Sequence, residues 1–267
     1  MSDAGGKFND LTARFLSAVV MVMVGGAALW AGGVWFLILI AVSAGVMIWE
    51  TLRMADPGRG ELDAMAQGVL AAAAMGLAWN LSTPWNLVFL GAPALLTVGM
   101  ALGNRWLLAG FALYIMVAAF GFVALRAGGG LVWALWLIGV VVVSDVAGYF
   151  AGRLIGGPKL WPRVSPKKTW SGTVAGWIGC AALGAAFMQD TGAGPALIAL
   201  SVVAAMAAQA GDIVESALKR KAGVKDASNL IPGHGGVFDR FDGMLGASLL
   251  VMILGAVTGF PPGFAAP

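Results

Sequence analysis

The sequence predicts an all-α, polytopic integral membrane protein with about nine transmembrane helices. Three observations predict it. Hydrophobic residues make up 60% of the 267-residue chain and charged residues only 11%, against about 25% charged in an ordinary soluble domain. Apolar runs near the length of a bilayer span recur along the chain, and the mean hydropathy is +0.87. The basic residues gather in alternate connections. Alternating segments of about ten residues, the mark of a transmembrane β-barrel, are not visible.

The spans are expected at 15–31, 34–50, 64–80, 85–103, 106–125, 131–151, 172–189, 195–216 and 243–260. Residues 1–130 form an N-terminal group of helices. Residues 131–267 form the C-terminal region that carries two basic loops. The short polar N-terminus leads into a run without a small-residue cleavage pattern, so it reads as a retained first helix. Gly32-Gly33 turns the first span into the second, and Ser82-Thr83-Pro84 and Gly103-Asn104 mark later turns. Trp30, Trp49, Trp79, Trp85, Trp106 and Trp170 fall near span ends, where indole rings anchor at the membrane interface. Ala71 to Ala74, Ala204 to Ala208 and forty glycines suit close helix approach in lipid. Cys180 is the single cysteine; it lies in an apolar run and reads as a small buried residue. No internal repeat suggests the paired halves of many secondary transporters.

Threading the chain from a cytoplasmic N-terminus puts Lys7, Arg14, Arg53, Arg59, Arg105, the stretch Arg153 to Lys168 and the stretch Lys219 to Arg240 inside. Of the sixteen Lys and Arg residues, Arg126 alone falls outside, as the positive-inside rule favours. The net charge of +3 is then a topology signal and a local attraction for anions. It does not point to nucleic acid, because no basic face alternates with exposed aromatics.

Two of the inside segments carry chemistry. The first, Gly152 to Gly172, holds five basic residues and no acid. Its Ser165-Pro-Lys-Lys-Thr is expected to open the next helix. The N–H groups at that helix start would add to the anion field of Lys167 and Lys168. A plain positive-inside loop with a helix cap is the bland reading. The second, Ser216 to Asp242, is a polar island with Lys219, Arg220, Lys221, Lys225 and Arg240, the acids Asp226, Asp239 and Asp242, and His234, the only histidine. Basic side chains neutralise phosphate oxygens, and carboxylates suit Mg²⁺, a hard cation. Pro232-Gly-His-Gly-Gly236 forms a tight loop that a ligand can approach closely. Asp239 and Asp242 stand three apart on one helix face. His234 is placed to position a phosphate or a water, not as a metal ligand. Asp145, Asp212 and Glu215 lie within or at the end of apolar spans, where a carboxylate is costly. Asp212 and Ser216 share a helix face. Bland alternatives are a salt bridge from Asp145 to Arg153 and an i,i+4 pair between Glu215 and Lys219.

The island resembles the signature of the phosphatidate cytidylyltransferase family, the CDP-diacylglycerol synthases. Ser216, Lys219, Arg220, Lys225, Asp226, His234, Gly235, Gly236, Asp239, Arg240 and Asp242 all fall at matching spacing. Ser144-Asp145, Tyr149-Phe150, Gly152-Arg153, Lys159-Leu160 and Ser165 to Trp170 resemble a second conserved region. The likeness covers residues 140–245. One position departs: Ser171 stands where the family usually has Glu or Gln. The resemblance implies that CTP and phosphatidate give CDP-diacylglycerol and pyrophosphate with Mg²⁺, and allows a second metal ion. It implies Asp212, Asp239, Lys225, Asp226 and His234 as catalytic residues. It implies Lys167, Lys168, Lys219, Arg220 and Arg240 as phosphate contacts, and Asp212, Asp239, Asp242 and Asp145 as metal ligands. The expected setting is a bacterial inner membrane with the site facing the cytoplasm, among membrane lipids. The oligomeric state stays open, a homodimer included. A relative acting on another lipid phosphate, a membrane transporter and a catalytically lost interaction protein remain as alternatives.

Overall fold

The structure, a computed structural model, describes residues 4–261, with side chains from residue 12 onward. Pro267 and the side chain of Lys7 lie outside the described residues. Eight helices and one short hairpin follow in order: α1 (Ala4–Ala31), α2 (Gly33–Ala55), α3 (Glu61–Trp79), α4 (Trp85–Met100), α5 (Arg105–Leu154), β1 (Lys159–Trp161), β2 (Ser165–Thr169), α6 (Trp170–Phe187), α7 (Ala196–Lys221) and α8 (Phe238–Thr258). Seven of the helices are long and apolar enough to cross a membrane by length and composition. The exception is α4, with 16 residues and Pro93 inside it.

Among the described residues the helices number eight, fewer than the nine expected. The spans expected at 106–125 and 131–151 both lie in α5, which holds two helices joined across a kink at Gly130. The backbone of Gly130 is non-helical, at φ 75° and ψ −169°, so the break falls where those two spans were expected to part. Gly32 and Gly33 do break the chain as expected, at φ 63° and 49°, values that favour glycine. The hairpin is a second correction. Ser165 to Thr169 does not open α6; it pairs antiparallel with β1, Lys159 opposite Thr169 and Trp161 opposite Ser165. Pro166 is tolerated because a two-stranded ribbon is all edge. The helix starts one residue later, capped by Thr169, whose Oγ1 accepts from Gly172 N at 3.2 Å.

The chain divides into two compact units, Met1–Met116 with Lys221–Phe241, and Val117–Arg220 with Asp242–Pro267. In the first, α2 packs on α3 and α3 on α4, and Phe36, Ile40, Met47, Ile48, Leu52 and Met75 form the buried core. The α3–α4 contact carries a polar clasp: Gln67 Nε2 donates to Pro93 O at 3.0 Å and bonds Thr97 Oγ1. In the second unit Trp136, Leu137, Val140, Cys180, Leu197 and Leu245 are buried. Trp136 Nε1 donates to Ser201 Oγ at 2.8 Å. A buried indole is satisfied this way without opening the core.

Candidate active site

Small residues decide where the acids of the second unit go. A Cβ on Gly211 of α7 would collide with the backbone oxygen of Asp242, and one on Gly246 of α8 would collide with Ala207 O. The two helices therefore meet backbone to backbone, which only glycine permits. That approach brings Asp212, Glu215 and Asp242 together, each offering an oxygen within 4.8 Å of the others. Three carboxylates this close repel unless cations intervene. Two lysines do so. Lys168 of β2 forms an ion pair with Asp212, and Lys219 pairs with the fully buried Glu215 at 2.6 Å. Ser216 Oγ donates to Asp212 Oδ1 at 3.1 Å. The expected Glu215–Lys219 pair and the shared face of Asp212 and Ser216 are both present.

Lys168 also lines a cleft of about 470 Å³, with Lys167, Lys159, Arg153, Asp145 and Thr169. Its walls, α5 and α6, approach closely because a Cβ on Gly172 would strike Gly148 O, and one on Gly152 would lie 2.9 Å from Thr169 Oγ1. Gln209 braces the wall, donating to Ser144 Oγ at 3.1 Å and accepting from Trp177 Nε1 at 3.0 Å. Ser171 donates to Gly156 O and lies 3.0 Å from Thr169 Oγ1, so it ties the turn before β1 to the helix start. Arg153 Nη1 donates to Tyr149 Oη at 2.8 Å. Arg220 is exposed near the end of α7. Asp145, Asp212, Asp242, Lys167, Lys168, Lys219 and Arg220 thus all belong to this unit.

Lys225, Asp226, His234, Asp239 and Arg240 belong to the first unit. The segment between α7 and α8 folds on two carboxylates. Asp239 Oδ2 accepts from Gly236 N at 2.7 Å and Ala227 N at 2.9 Å. Glu50, fully buried near the end of α2, accepts from Ser228 Oγ at 2.6 Å, Val237 N at 2.9 Å and Phe238 N at 2.7 Å. A negative group is well placed there, against the unsatisfied N–H groups that open α8. The glycines follow from these acids. A Cβ on Gly236 would sit 2.5 Å from Glu50 Oε1, and one on Gly235, at φ 80°, would sit 2.7 Å from Asp239 Oδ2. Arg240 Nε donates to His234 O at 3.0 Å. His234 Nδ1 and Ser17 Oγ of α1 share a hydrogen bond of 2.9 Å. Lys225 and Asp226 are exposed on the same segment.

Sequence reasoning missed Glu50. Its signal was a single acid closing an apolar run, the feature that marked Asp145 and Asp212. It also left Glu215 out of the metal ligands, although Asp212 and Glu215, three apart on α7, can reach one ion together. The donor set of Asp212, Glu215 and Asp242 consists of carboxylate oxygens, which suits a hard divalent cation.

Long apolar helices, an acid triplet and a cleft lined by four cations describe a helical membrane protein able to hold a polyanion next to a metal ion. The profile of the Cytidylyltransferase family matches residues 12–258. The chain belongs to that family. It is 33% identical to the phosphatidate cytidylyltransferase of Brucella suis over 270 residues, 95% of this chain and 96% of the relative. It is 40% identical to the Helicobacter pylori enzyme of the same name over 146 residues, covering 54% of this chain and 51% of the relative. With the Haemophilus influenzae enzyme the identity is 42% over 125 residues, 44% of this chain and 43% of the relative.

Proposed function

We propose that this protein transfers the cytidylyl group of CTP to phosphatidate, giving CDP-diacylglycerol and pyrophosphate. The observation that carries the reading is the acid triplet joined through Lys168 to a basic cleft within one unit. Family membership and the names of relatives spanning nearly the whole chain support it.

The chemistry asks little covalent work of the chain. A phosphate oxygen of phosphatidate attacks the α-phosphorus of CTP; the bond to the β-phosphate bridging oxygen breaks, and pyrophosphate carries away the electron pair. Both partners are anions, so catalysis rests on positioning and charge. Lys167, Lys168, Lys159 and Arg153 hold the triphosphate in the cleft. Lys219 and Arg220 add positive potential near the acids. Asp212, Glu215 and Asp242 would hold Mg²⁺, which when bound offsets charge on the reacting phosphates. Asp145 is proposed as a further ligand. Asp239 keeps its proposed place among the ligands and positions the glycine loop as well. Lys225, Asp226, His234 and Arg240 are proposed to meet substrate from that loop. We place the protein in a bacterial inner membrane with these groups on the cytoplasmic side, where CTP is found and where the positive-inside rule directs the basic loops.

The test is direct. Purified protein with CTP, phosphatidate in mixed micelles and Mg²⁺ should release pyrophosphate and form CDP-diacylglycerol, and EDTA should stop it. Absence of turnover in a folded, lipid-supplied sample would overturn the proposal. Faster turnover of another lipid phosphate would keep the reaction and change the acceptor.

A further inference from the structure

The first unit contains a groove whose lining includes none of the residues assigned to the transfer reaction. Its floor is the crossing of α2 and α3. A Cβ on Gly68 would lie 2.6 Å from Gly45 O, and one on Gly45 would strike Gly68 O. The helices touch at these glycines, and the longer side chains beside them stand apart as walls. Val42, Val46 and Trp49 of α2 face Met65 and Val69 of α3, and Leu230 closes one end. The lining is almost wholly apolar and the volume is about 430 Å³, within the range of about 300–1,000 Å³ usual for ligand cavities. Val42, Met65, Val69 and Leu230 are exposed.

The groove does not end in more hydrocarbon surface. Trp49 and Leu230 are shared with a second cavity of about 400 Å³, lined also by Arg53, Ser228 and Asn229. Two donors gather at this junction. The Arg53 guanidinium stands 5.2 Å from the centre of the Trp49 ring. Its ion pair with Glu61, 3.4 Å long, is half-exposed on both sides and contributes little. The Trp49 indole N–H is buried and has no acceptor among the described residues. A buried donor without an acceptor is costly, and native proteins rarely keep one without a ligand or water to meet it.

We propose that one diacyl phospholipid with an anionic phosphodiester headgroup occupies this site. One acyl chain lies in the α2–α3 groove, and the headgroup oxygens take the hydrogen bonds of Arg53 and, after a small shift of the ring, of Trp49. Guanidinium matches phosphate geometry better than ammonium does. The charge count selects the lipid class. The polar cavity offers one cation, Arg53, while the one carboxylate in its lining, Glu50, is already committed to Ser228, Val237 and Phe238. A phosphodiester carries one negative charge. A phosphate monoester approaches two near pH 7 and would ask for a second cation. Because Ser228, Asn229 and Leu230 belong to the segment that carries the glycine loop, the bound lipid also braces that segment.

Native mass spectrometry of the full chain in detergent tests this without CTP or turnover, so its outcome is independent of the proposed reaction. Added phosphatidylglycerol should give one retained lipid, and phosphatidylcholine none. Arg53→Gln should weaken retention roughly tenfold, as for loss of one charge-assisted contact. Val69→Trp, which fills the groove from its exposed rim, should abolish retention. Melting temperatures without added lipid should stay at the wild-type value for both variants; if Val69→Trp does not fold, Arg53→Gln alone decides. Equal retention of phosphatidylcholine, unchanged retention in Arg53→Gln, or displacement of phosphatidylglycerol by phosphatidate would each overturn the proposal, the last by assigning the site to the substrate.

Discussion

The two units use the same side chain for opposite purposes. In the first, carboxylates are saturated by donors from the chain itself: Glu50 takes one hydroxyl and two backbone N–H groups, and Asp239 Oδ2 takes two backbone N–H groups. In the second, Asp212, Glu215 and Asp242 crowd together and are balanced by lysines. A carboxylate matched to fixed N–H groups gains geometry and holds a loop. Carboxylates matched to lysine Nζ and to each other keep an arrangement that a metal ion can take over. Burial alone does not separate the two cases, since Glu50 and Glu215 are both fully buried. The identity of the partners does.

Asp239 and Asp242, three residues apart at the start of α8, allow the sharpest break of this contrast. If Asp242 is a metal ligand as proposed, Asp242→Asn should lower kcat/KM by on the order of 10²-fold or more, because such a carboxylate acts where charge develops. The Mg²⁺ concentration for half-maximal rate should rise, and the melting temperature should barely change. Asp239→Asn should instead lower the melting temperature as well as the rate, since its Oδ2 holds two backbone groups. Purified variants assayed across a Mg²⁺ titration read both. A normal rate and normal metal dependence in Asp242→Asn would remove it from the ligand set.

Glu50→Gln probes the structural side. The amide keeps one acceptor oxygen and turns an NH₂ group toward N–H or O–H donors. Losing hydrogen bonds to a buried charged group costs about 1.5–3 kcal/mol each, so destabilisation of about 3 kcal/mol is expected, with turnover lost as the loop loosens. Denaturation in detergent measures it. A variant as stable as the parent would show that the loop is held by Asp239 alone.

How much of this was legible in the sequence follows the range of the interactions. The island was legible because its residues lie within one stretch. So were the Glu215–Lys219 pair and the Asp212–Ser216 contact, which need only helical spacing. Glu50 was not, because its partners stand 178 to 188 residues away, and no local pattern pairs an acid closing α2 with the start of α8. The acid triplet was half legible: Asp212 and Glu215 share a helix face, but Asp242 joins them through the glycine contacts at Gly211 and Gly246. The parting of the spans at 106–125 and 131–151 was legible, and it falls at Gly130, the non-helical residue inside α5. The hairpin went unread because Ser-Pro-Lys-Lys-Thr has the composition of a helix entry. Its pairing depends on Lys159 to Trp161 lying alongside.

The second unit also has a loop to hold, and it does so with a neutral group. Thr169 ends β2, caps α6 through Gly172 N and contacts Ser171 Oγ. The hydroxyl matters for geometry more than for charge, so its removal should cost less than the loss of Glu50. Thr169→Ala should destabilise by about 1 kcal/mol, the usual cost of losing an N-cap. It should raise KM for CTP only severalfold, because Lys167 and Lys168 lie in the strand that the cap anchors. Thr169→Ser keeps the cap oxygen and should restore both stability and KM. If Ser fails to rescue, the threonine methyl rather than the cap holds the strand, and the parallel with the carboxylate-held loop of the first unit fails.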